Sequence, residues 1–258
     1  MISRISVIIP CYNEQWRIPA TLEEILVFMS KHPMLLSEII VVDDGSKDAT
    51  VERVFAMSEK FKGKLRIERL VQNSGKWAAI HHGMAVAKND ALLILDADGS
   101  ASINELEKFD VRACLSKRTL IFGSRFMDGA TINGKSISRS IVSRGYRAYV
   151  LFMYWFATGK HDVDDMQAPF KLVYKSRISR PMFVDRFAGD IELACALESK
   201  IRNHPLQFVH RAGSKVSVAA SWNMFWETLR VVRFQRKFLK ALRNGTLTME
   251  NNKIYKDN

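Results

Sequence analysis

The chain has 258 residues, of which 47% are apolar and 26% are charged, so it can form a full core and is not an intrinsically disordered protein. Its 39 basic residues outnumber its 27 acidic residues and leave a formal net charge of +12, which favours partners that carry phosphate groups or anionic lipid headgroups. We expect no nucleic-acid partner, because the sequence contains no motif typical of nucleic-acid binding.

The first 125 residues alternate apolar strand patterns with helical patterns, a rhythm that is typical of βαβ units. Strand patterns occur at residues 5–10, 38–43, 65–70, 91–95 and 119–124. Helical patterns occur at residues 14–29, 48–61, 75–87 and 103–116. Because such units connect parallel strands through right-handed crossovers, this half of the chain predicts an α/β fold with a mostly parallel sheet flanked by helices.

After residue 125 the regular alternation of strands and helices ends. Residues 126–138 are rich in Gly, Ser and Asn and predict a mobile loop. Shorter elements are predicted as a strand near 169–174, a helix near 190–200 and a strand near 206–210. Residues 139–158 and 221–242 predict two C-terminal amphipathic helices that combine aromatic and basic side chains. Residues 243–258 predict a polar, frayed tail.

Acidic residues follow two of the predicted strands at their carboxyl ends. Asp44 comes directly after the second strand, and Asp96 and Asp98 follow the fourth. Because the carboxyl ends of parallel strands meet at one edge of a sheet, we expect these three carboxylates to lie close together. Such oxygen ligands, with basic residues nearby, suit a divalent metal ion and the diphosphate that it neutralises. The pattern therefore predicts a nucleotide-sugar site at this edge.

Cysteine usage and the length of the apolar runs indicate the compartment. The three cysteines, Cys11, Cys114 and Cys195, have no paired spacing, which is typical of a reducing compartment. The first strand begins near residue 5 and leaves no room for a signal peptide. The longest apolar run, 148–157, is about half the length that spans a bilayer. We expect a cytoplasmic protein that is peripheral on the inner face of a membrane.

Several segments resemble the motifs of glycosyltransferase family two, which has the Rossmann-like GT-A fold. The segments of the first half are VIIPCYNE (7–14), VVDDGS (41–46), NSGK (73–76) and LDAD (95–98). Those of the second half are similar to the branch of dolichyl-phosphate glucosyltransferases and mannosyltransferases. They are GSR (123–125), DMQAPFKL (165–172), DIEL (190–193) and HRAGSKV (210–216).

This resemblance implies an inverting, metal-dependent hexosyltransferase of cell-wall or glycan biosynthesis. Its donor would be a nucleotide sugar, with UDP-glucose favoured over GDP-mannose, and its acceptor a polyprenyl or dolichyl phosphate at a membrane surface. Its cofactor would be Mg²⁺ or Mn²⁺. One domain would cover residues 1–242, in which 1–125 bind the nucleotide sugar and 126–242 form the acceptor half.

The resemblance also implies the residues of the site. The donor pocket would be lined by Pro10, Tyr12, Glu14, Asp44, Lys76, Asp96 and Ala97. Asp98, together with Asp96, would hold the metal ion, and Arg125 would bind a phosphate of the donor or of the lipid. Asp190 would act at the reacting centre. The acceptor side would include Gln167, Lys171 and Lys215.

Other interpretations of these residues are open at this point. Arg125 could form a surface ion pair, Lys76 could be an exposed lysine beside an ordinary helix cap, and Asp190 could be the N-cap of its helix. The two aromatic helices could pack into the core instead of facing lipid. An alternative acceptor is a sugar hydroxyl of a cell-surface polysaccharide, for which Asp190 would be the general base. The alternative outside enzymes is a nucleotide-binding scaffold whose catalytic activity has decayed.

Overall fold

A seven-stranded sheet flanked by helices forms the body of the protein. The computed structural model describes residues 4–133, 137–186, 188–197, 200–209, 218–244, 247–250 and 253–256. The strands are β1 (Ile5–Cys11), β2 (Leu36–Asp43), β3 (Leu65–Arg69), β4 (Ala91–Leu95), β5 (Leu120–Ser124), β6 (Thr131–Asn133), β7 (Phe170–Tyr174), β8 (Ile201–Pro205), β9 (Gln207–Val209), β10 (Leu247–Glu250) and β11 (Lys253–Lys256).

Seven α-helices and three short 3₁₀ helices connect these strands within the described ranges. The α-helices are α1 (Ile18–Lys31), α2 (Thr50–Phe55), α3 (Lys76–Val86), α4 (Val111–Lys117), α5 (Ile137–Thr158), α6 (Gly189–Ala196) and α7 (Val218–Arg243). The 3₁₀ helices are Ser58–Phe61, Ile103–Lys108 and Lys175–Arg177. Among the residues that the structure describes, no helix is both long enough and apolar enough to span a bilayer.

The main sheet has the strand order β3-β2-β1-β4-β7-β5-β8. Strand β1 is parallel to β2 and to β4, and β5 is parallel to β8. Strand β7 runs antiparallel to both of its neighbours, β4 and β5. The sheet is therefore mostly parallel and flanked by helices, which confirms the predicted α/β class.

The core lies on both faces of the central strands. Most side chains of β1, β2 and β4 are apolar and buried on both faces, as expected for strands that helices cover from two sides. Helix α3 approaches β1 closely because Gly83 has no side chain. A Cβ at this position would lie only 2.6 Å from Cγ2 of Ile8.

In the first half, the structure confirms the strands but shortens the predicted helices. The helix predicted at 14–29 begins at Ile18, because residues 12–17 form turns beside the ends of β1 and β2. The helix predicted at 103–116 is a 3₁₀ helix followed by α4. It divides there because the Asp110 side chain accepts a hydrogen bond from the Ala113 amide and caps a new helix. The helix predicted at 48–61 likewise divides into α2 and a 3₁₀ helix.

In the second half, two predictions are wrong and one strand is missing from the prediction. The loop predicted at 126–138 includes β6, which pairs with β9, and the start of α5. Strand β8 was not predicted, because its sequence IRNHP has no apolar alternation and its pairing at the edge of the sheet is set by the backbone of β5. The tail predicted to be frayed contains β10 and β11, which pair in an antiparallel hairpin.

Helix α6 packs against helix α3 at a glycine. Gly189 faces the fully buried indole of Trp77, and a Cβ at Gly189 would lie 2.1 Å from Cγ of that ring. Real Cβ atoms do not approach so closely, so any larger residue forces the two helices apart. The sequence thus uses glycine here to bring α6, which carries Asp190 and Glu192, next to the start of α3.

We predict that Gly189→Ala lowers the free energy of unfolding by about 1–3 kcal/mol, the usual cost of overpacking a rigid core. Gly145→Ala is the matched control, because no atom lies within 4 Å of the added Cβ in helix α5. That control should be neutral or stabilising by up to about 1 kcal/mol. Urea titrations followed by tryptophan fluorescence measure both changes, and equal stabilities for the two variants would contradict this account of the α3–α6 packing.

Candidate active site

A cavity of about 370 Å³ opens at the carboxyl ends of β1, β2 and β4. Its lining residues are Pro10, Cys11, Tyr12, Glu14, Asp44, Asn73, Gly75, Lys76, Asp96, Ala97, Asp98 and Arg186. Every residue predicted to line the donor pocket is among them, and so is the predicted metal ligand Asp98. They converge because the parallel strands end at one edge of the sheet, where each is followed by a turn rather than by further strand.

Asp44 connects the end of β2 to the turn before α3. Its Oδ1 accepts a hydrogen bond from the Ser74 amide at 2.7 Å, and its Oδ2 accepts one from the Gly75 amide at 2.8 Å. Burial raises the pKa of Asp44, and the two amide donors offset only part of this rise. Gly75 has a φ of +116°, and a Cβ there would lie 2.4 Å from the Asp185 carbonyl oxygen, so this turn requires glycine.

The two acids after β4 each lie beside a basic side chain. Lys76, the first residue of α3, places Nζ 2.6 Å from Oδ1 of Asp96, and Arg17 places Nη1 3.7 Å from Oδ2 of Asp98. Burial alone would lower the pKa of Lys76, but the nearby carboxylates, above all those of Asp96 and Asp190, outweigh it and raise the pKa. Lys76 therefore carries its positive charge at the cavity.

The carboxylates of Asp96 and Asp98 fit a divalent cation that a ligand helps to hold. Among the described residues, no group of three or more His, Cys, Asp or Glu side chains could form a complete protein cage for a metal ion. Mg²⁺ and similar ions are commonly bound by one or two carboxylates, with water and substrate phosphates as the remaining ligands. This cavity offers two carboxylates, and Lys76 and Arg186 line the adjoining space in which substrate phosphates would complete the coordination.

The antiparallel strand β7 brings the second half of the chain to the same edge. Because β7 runs opposite to β4 and β5, its amino end lies next to their carboxyl ends, and Phe170 pairs with Leu95. The backbone amide of Asp96 donates to the carbonyl of Pro169 at 3.3 Å. The residues just before β7, including Gln167, therefore lie near the residues that follow β4.

Arg125, which follows β5, forms an ion pair with the buried Asp165. Its Nε lies 2.7 Å from Oδ2 and its Nη2 lies 3.0 Å from Oδ1 of that carboxylate. Burial favours the neutral form of Asp165, but the guanidinium outweighs it and holds the pKa of Asp165 below its usual value. Arg125 also donates to the Gln167 carbonyl at 3.5 Å. The ion pair is therefore not the surface contact that the simpler interpretation described, because its acid is almost fully buried.

Asp190 forms an ion pair with Lys171 of β7. The distance between Asp190 Oδ1 and Lys171 Nζ is 2.8 Å, and the ammonium also donates to the Ala168 carbonyl. The N-cap of α6 is Ala188, which makes no side-chain capping bond, so the alternative that Asp190 is the N-cap is wrong. The negative charge of Asp190 helps to raise the pKa of both Lys76 and Arg125. Asp190 therefore acts on the cavity and on the ion pair of Arg125 with Asp165.

The structure leaves one predicted residue unplaced and adds others. Lys215, predicted on the acceptor side, lies outside the described residues. Arg186 lines the cavity although it comes from the second half of the chain, where no sequence pattern singled it out. Arg17 contacts both Glu14 and Asp98. The three-residue spacing between Glu14 and Arg17 is the signal that could have found the first of these contacts.

Comparisons with known proteins agree with this geometry. The model for "Glycosyl transferase family 2" matches residues 6–171. A dolichyl-phosphate beta-glucosyltransferase from Homo sapiens is 30% identical over 249 residues, which cover 90% of this chain and 75% of the relative. The protein of the same name from Drosophila melanogaster is 31% identical and covers 84% of this chain and 71% of the relative.

The fold is also similar to solved structures. Glucosyl-3-phosphoglycerate synthase from Mycobacterium tuberculosis, in complex with Mn²⁺ and UDP-glucose, superimposes with a TM-score of 0.64 at 15% identity, covering 91% of this chain and 79% of that one. This likeness confirms the GT-A fold. The family match and the relatives at about 30% identity, which cover most of the chain, agree with the sequence motifs that line the cavity. The chain therefore belongs to glycosyl transferase family 2, in the branch of the dolichyl-phosphate beta-glucosyltransferases.

Proposed function

We propose that the protein transfers glucose from UDP-glucose to the phosphate of a polyprenyl or dolichyl lipid, with inversion at the anomeric carbon. The observation that carries this proposal is the cavity itself, which combines the carboxylates of Asp44, Asp96 and Asp98 with the cations of Lys76 and Arg186. Such a set can accept hydrogen bonds from a nucleoside and balance the charge of a diphosphate. The names of the relatives support glucose as the sugar and dolichyl phosphate as the acceptor.

Asp96 and Asp98 would hold Mg²⁺ or Mn²⁺, as the Mn²⁺ complex of the mycobacterial synthase supports. When bound, the ion would stabilise the negative charge that develops on the leaving diphosphate. Lys76 adds a fixed positive charge next to the same acids, 2.6 Å from Asp96. Pro10, Tyr12, Glu14 and Asp44 would enclose the nucleoside. Glu14 also forms an ion pair with Arg17, whose guanidinium lies beside Asp98.

The contacts of Asp190 favour a phosphate acceptor over a hydroxyl. A phosphate monoester has a second pKa of about 6, so at neutral pH it arrives largely ionised and needs no general base. A hydroxyl must lose its proton in the transition state, and the base that takes it must be within hydrogen-bonding reach. Asp190 is held by the buried Lys171 at 2.8 Å, an ammonium that competes with an acceptor hydroxyl for that oxygen. Arg125, with Gln167 beside it, would attract the acceptor phosphate.

Helices α5 and α7 present the surface that would meet the lipid. The exposed aromatic residues of α5 are Phe152, Trp155 and Phe156. The exposed basic residues of α7 include Arg230, Arg233, Arg236 and Lys237. The guanidinium carbon of Arg236 lies 4.2 Å from the ring centroid of Phe156, so the aromatic and basic sets adjoin. Such a mixture is typical of helices at the headgroup boundary, and we propose that this face rests on the cytoplasmic side of a membrane.

The first test is a transfer assay with and without the predicted metal ligand. The protein, UDP-glucose, Mn²⁺ and a short polyprenyl phosphate should yield a glucose-labelled lipid, with GDP-mannose as the competing donor. Asp98→Asn should reduce turnover at least about 100-fold, because a neutral amide balances the cation poorly. Asp90→Asn is the control, since Asp90 precedes the opposite end of the same strand. A parent that labels only soluble saccharides, or an Asp98→Asn variant with normal turnover, would refute the proposal.

The second test separates the two acceptor classes through Asp190. With a phosphate acceptor, Asp190→Asn should lower kcat only about 10-fold, which is less than the about 100- to 10,000-fold effect of a lost general base. Lys171→Met should give a loss of similar size, because it removes the partner that positions Asp190. Steady-state kinetics at saturating donor measure both variants. A loss in the larger range for Asp190→Asn alone, with polyprenyl phosphate unreactive in the parent, would favour a hydroxyl acceptor.

The third test concerns the basic face of α7. Replacing Arg230, Arg233, Arg236 and Lys237 with Gln should release the protein from anionic vesicles, since each basic residue near such a surface contributes about 1 kcal/mol. The matched control replaces Lys31, Arg53, Lys60 and Lys62, which are also exposed, with Gln. Sedimentation with phosphatidylserine vesicles at low salt compares the two sets. Equal release by both would mean that net charge, and not this face, binds the lipid.

A further inference from the structure

Glu192 is a fully buried acid of helix α6 that contacts the backbone of a neighbouring segment. Its Oε2 accepts a hydrogen bond from the Val184 amide at 2.9 Å, and both carboxylate oxygens lie about as close to the Phe183 amide, at 3.0 and 3.1 Å. The Arg180 guanidinium lies 3.6 Å away and is itself buried. Charged acceptors hold amide donors more strongly than neutral ones, so this carboxylate fixes the start of the 183–186 segment.

The next two residues of that segment reach the cavity. The carbonyl of Asp185 accepts hydrogen bonds from the amides of Trp77 and Ala78 at 2.8 and 2.9 Å. These amides belong to the first turn of α3, where a helix has no intrahelical partners for its donors. The following residue, Arg186, lines the cavity and contributes positive charge near Asp44. The segment thus caps the helix that begins with Lys76 and supplies one wall of the pocket.

We propose that Glu192 is a positioning residue of the donor pocket, which it serves by holding the 183–186 segment against the start of α3. This proposal rests on the proposed use of the cavity for a nucleotide diphosphate. Glu192 does not line the cavity itself. Its effect passes through the Phe183 and Val184 amides to the Asp185 carbonyl and to the side chain of Arg186.

If Glu192 only stabilised the fold, replacing it would affect the pocket no more than replacing another buried acid. Glu38 provides that comparison. Glu38 is also buried, and its Oε1 accepts hydrogen bonds from the Ser6 hydroxyl and from the Lys88 amide, each at 2.6 Å. It lies near the amino ends of β1 and β2, at the edge of the sheet opposite the cavity. Glu38→Gln therefore disturbs a similar network without disturbing the pocket.

The first measurement is the affinity for UDP by titration calorimetry in the presence of Mn²⁺, with GDP in parallel. Glu192→Gln should weaken UDP binding about 10-fold, because the amides lose their charged acceptor and the segment is displaced. Arg186→Ala, which alters an exposed side chain, should weaken it as well. In the Glu192→Gln background, Arg186→Ala should reduce the affinity for UDP by a smaller factor than it does in the parent, since both residues act through one segment. Glu38→Gln should bind UDP as the parent does.

The second measurement is hydrogen exchange of the protein without nucleotide. In Glu192→Gln the amides of Trp77 and Ala78 should exchange faster than in the parent, although both donate to the Asp185 carbonyl and not to Glu192. In Glu38→Gln those two amides should keep their protection, while the Lys88 amide loses it. This measurement reports the connection from α6 to α3 even if the variant has lost measurable affinity for UDP.

The outcomes separate this proposal from the proposed function. Unchanged UDP affinity and unchanged exchange at Trp77 and Ala78 in Glu192→Gln would overturn the positioning role, whatever the parent transfers. Unchanged affinity in Arg186→Ala would also overturn it, because the segment would then contribute nothing to the pocket. A parent that binds UDP and shows the predicted exchange, but forms no glucose-labelled lipid, would refute the proposed reaction and leave the role of Glu192 standing.

Discussion

The two hydrogen bonds from the Ser74 and Gly75 amides to the Asp44 carboxylate determine the shape of the site. They attach the end of β2 to the start of α3, and so place Lys76 beside Asp96 at the end of β4. A carboxylate that accepts two backbone donors cannot rotate away without leaving both unpaired, which is costly in a buried position. The rest of the cavity is arranged around this turn.

Four acids of the site each have a basic partner within 4 Å, whereas Asp44 is held by two backbone amides. The pairs are Asp96 with Lys76, Asp98 with Arg17, Asp165 with Arg125, and Asp190 with Lys171. Carboxylates that share a half-buried cleft repel one another, and an unpaired buried charge is strongly destabilising, so each basic partner offsets this repulsion and holds its carboxylate in place. The metal ion and the diphosphate that we propose as ligands carry opposite charges, so both would be accommodated beside pairs that already balance.

The antiparallel course of β7 explains how distant parts of the chain form one site. In a fully parallel sheet, the residues that precede one strand lie at the opposite edge from the residues that follow its neighbours. Because β7 is reversed between β4 and β5, Asp165 and Gln167 approach the edge where Asp96 and Arg125 lie. Helix α6 contributes Asp190, which pairs with Lys171 of β7. The close packing of α6 on Trp77 depends on Gly189.

The sequence by itself determined the strands of the first half and most of the residues that line the cavity. Continuous apolar runs identify buried parallel strands, and polar residues directly after them must meet at one edge, which needs no knowledge of longer-range packing. The motifs around Asp44 and Asp96 were sufficient for the family. Only the tertiary structure decided which charges pair across the site, because the partners of Arg125, Lys171 and Glu192 lie on elements whose contacts leave no periodic signal. The same holds for Arg186, which reaches the pocket through backbone contacts, and for β8, whose pairing depends on the backbone of β5 and not on its own side chains.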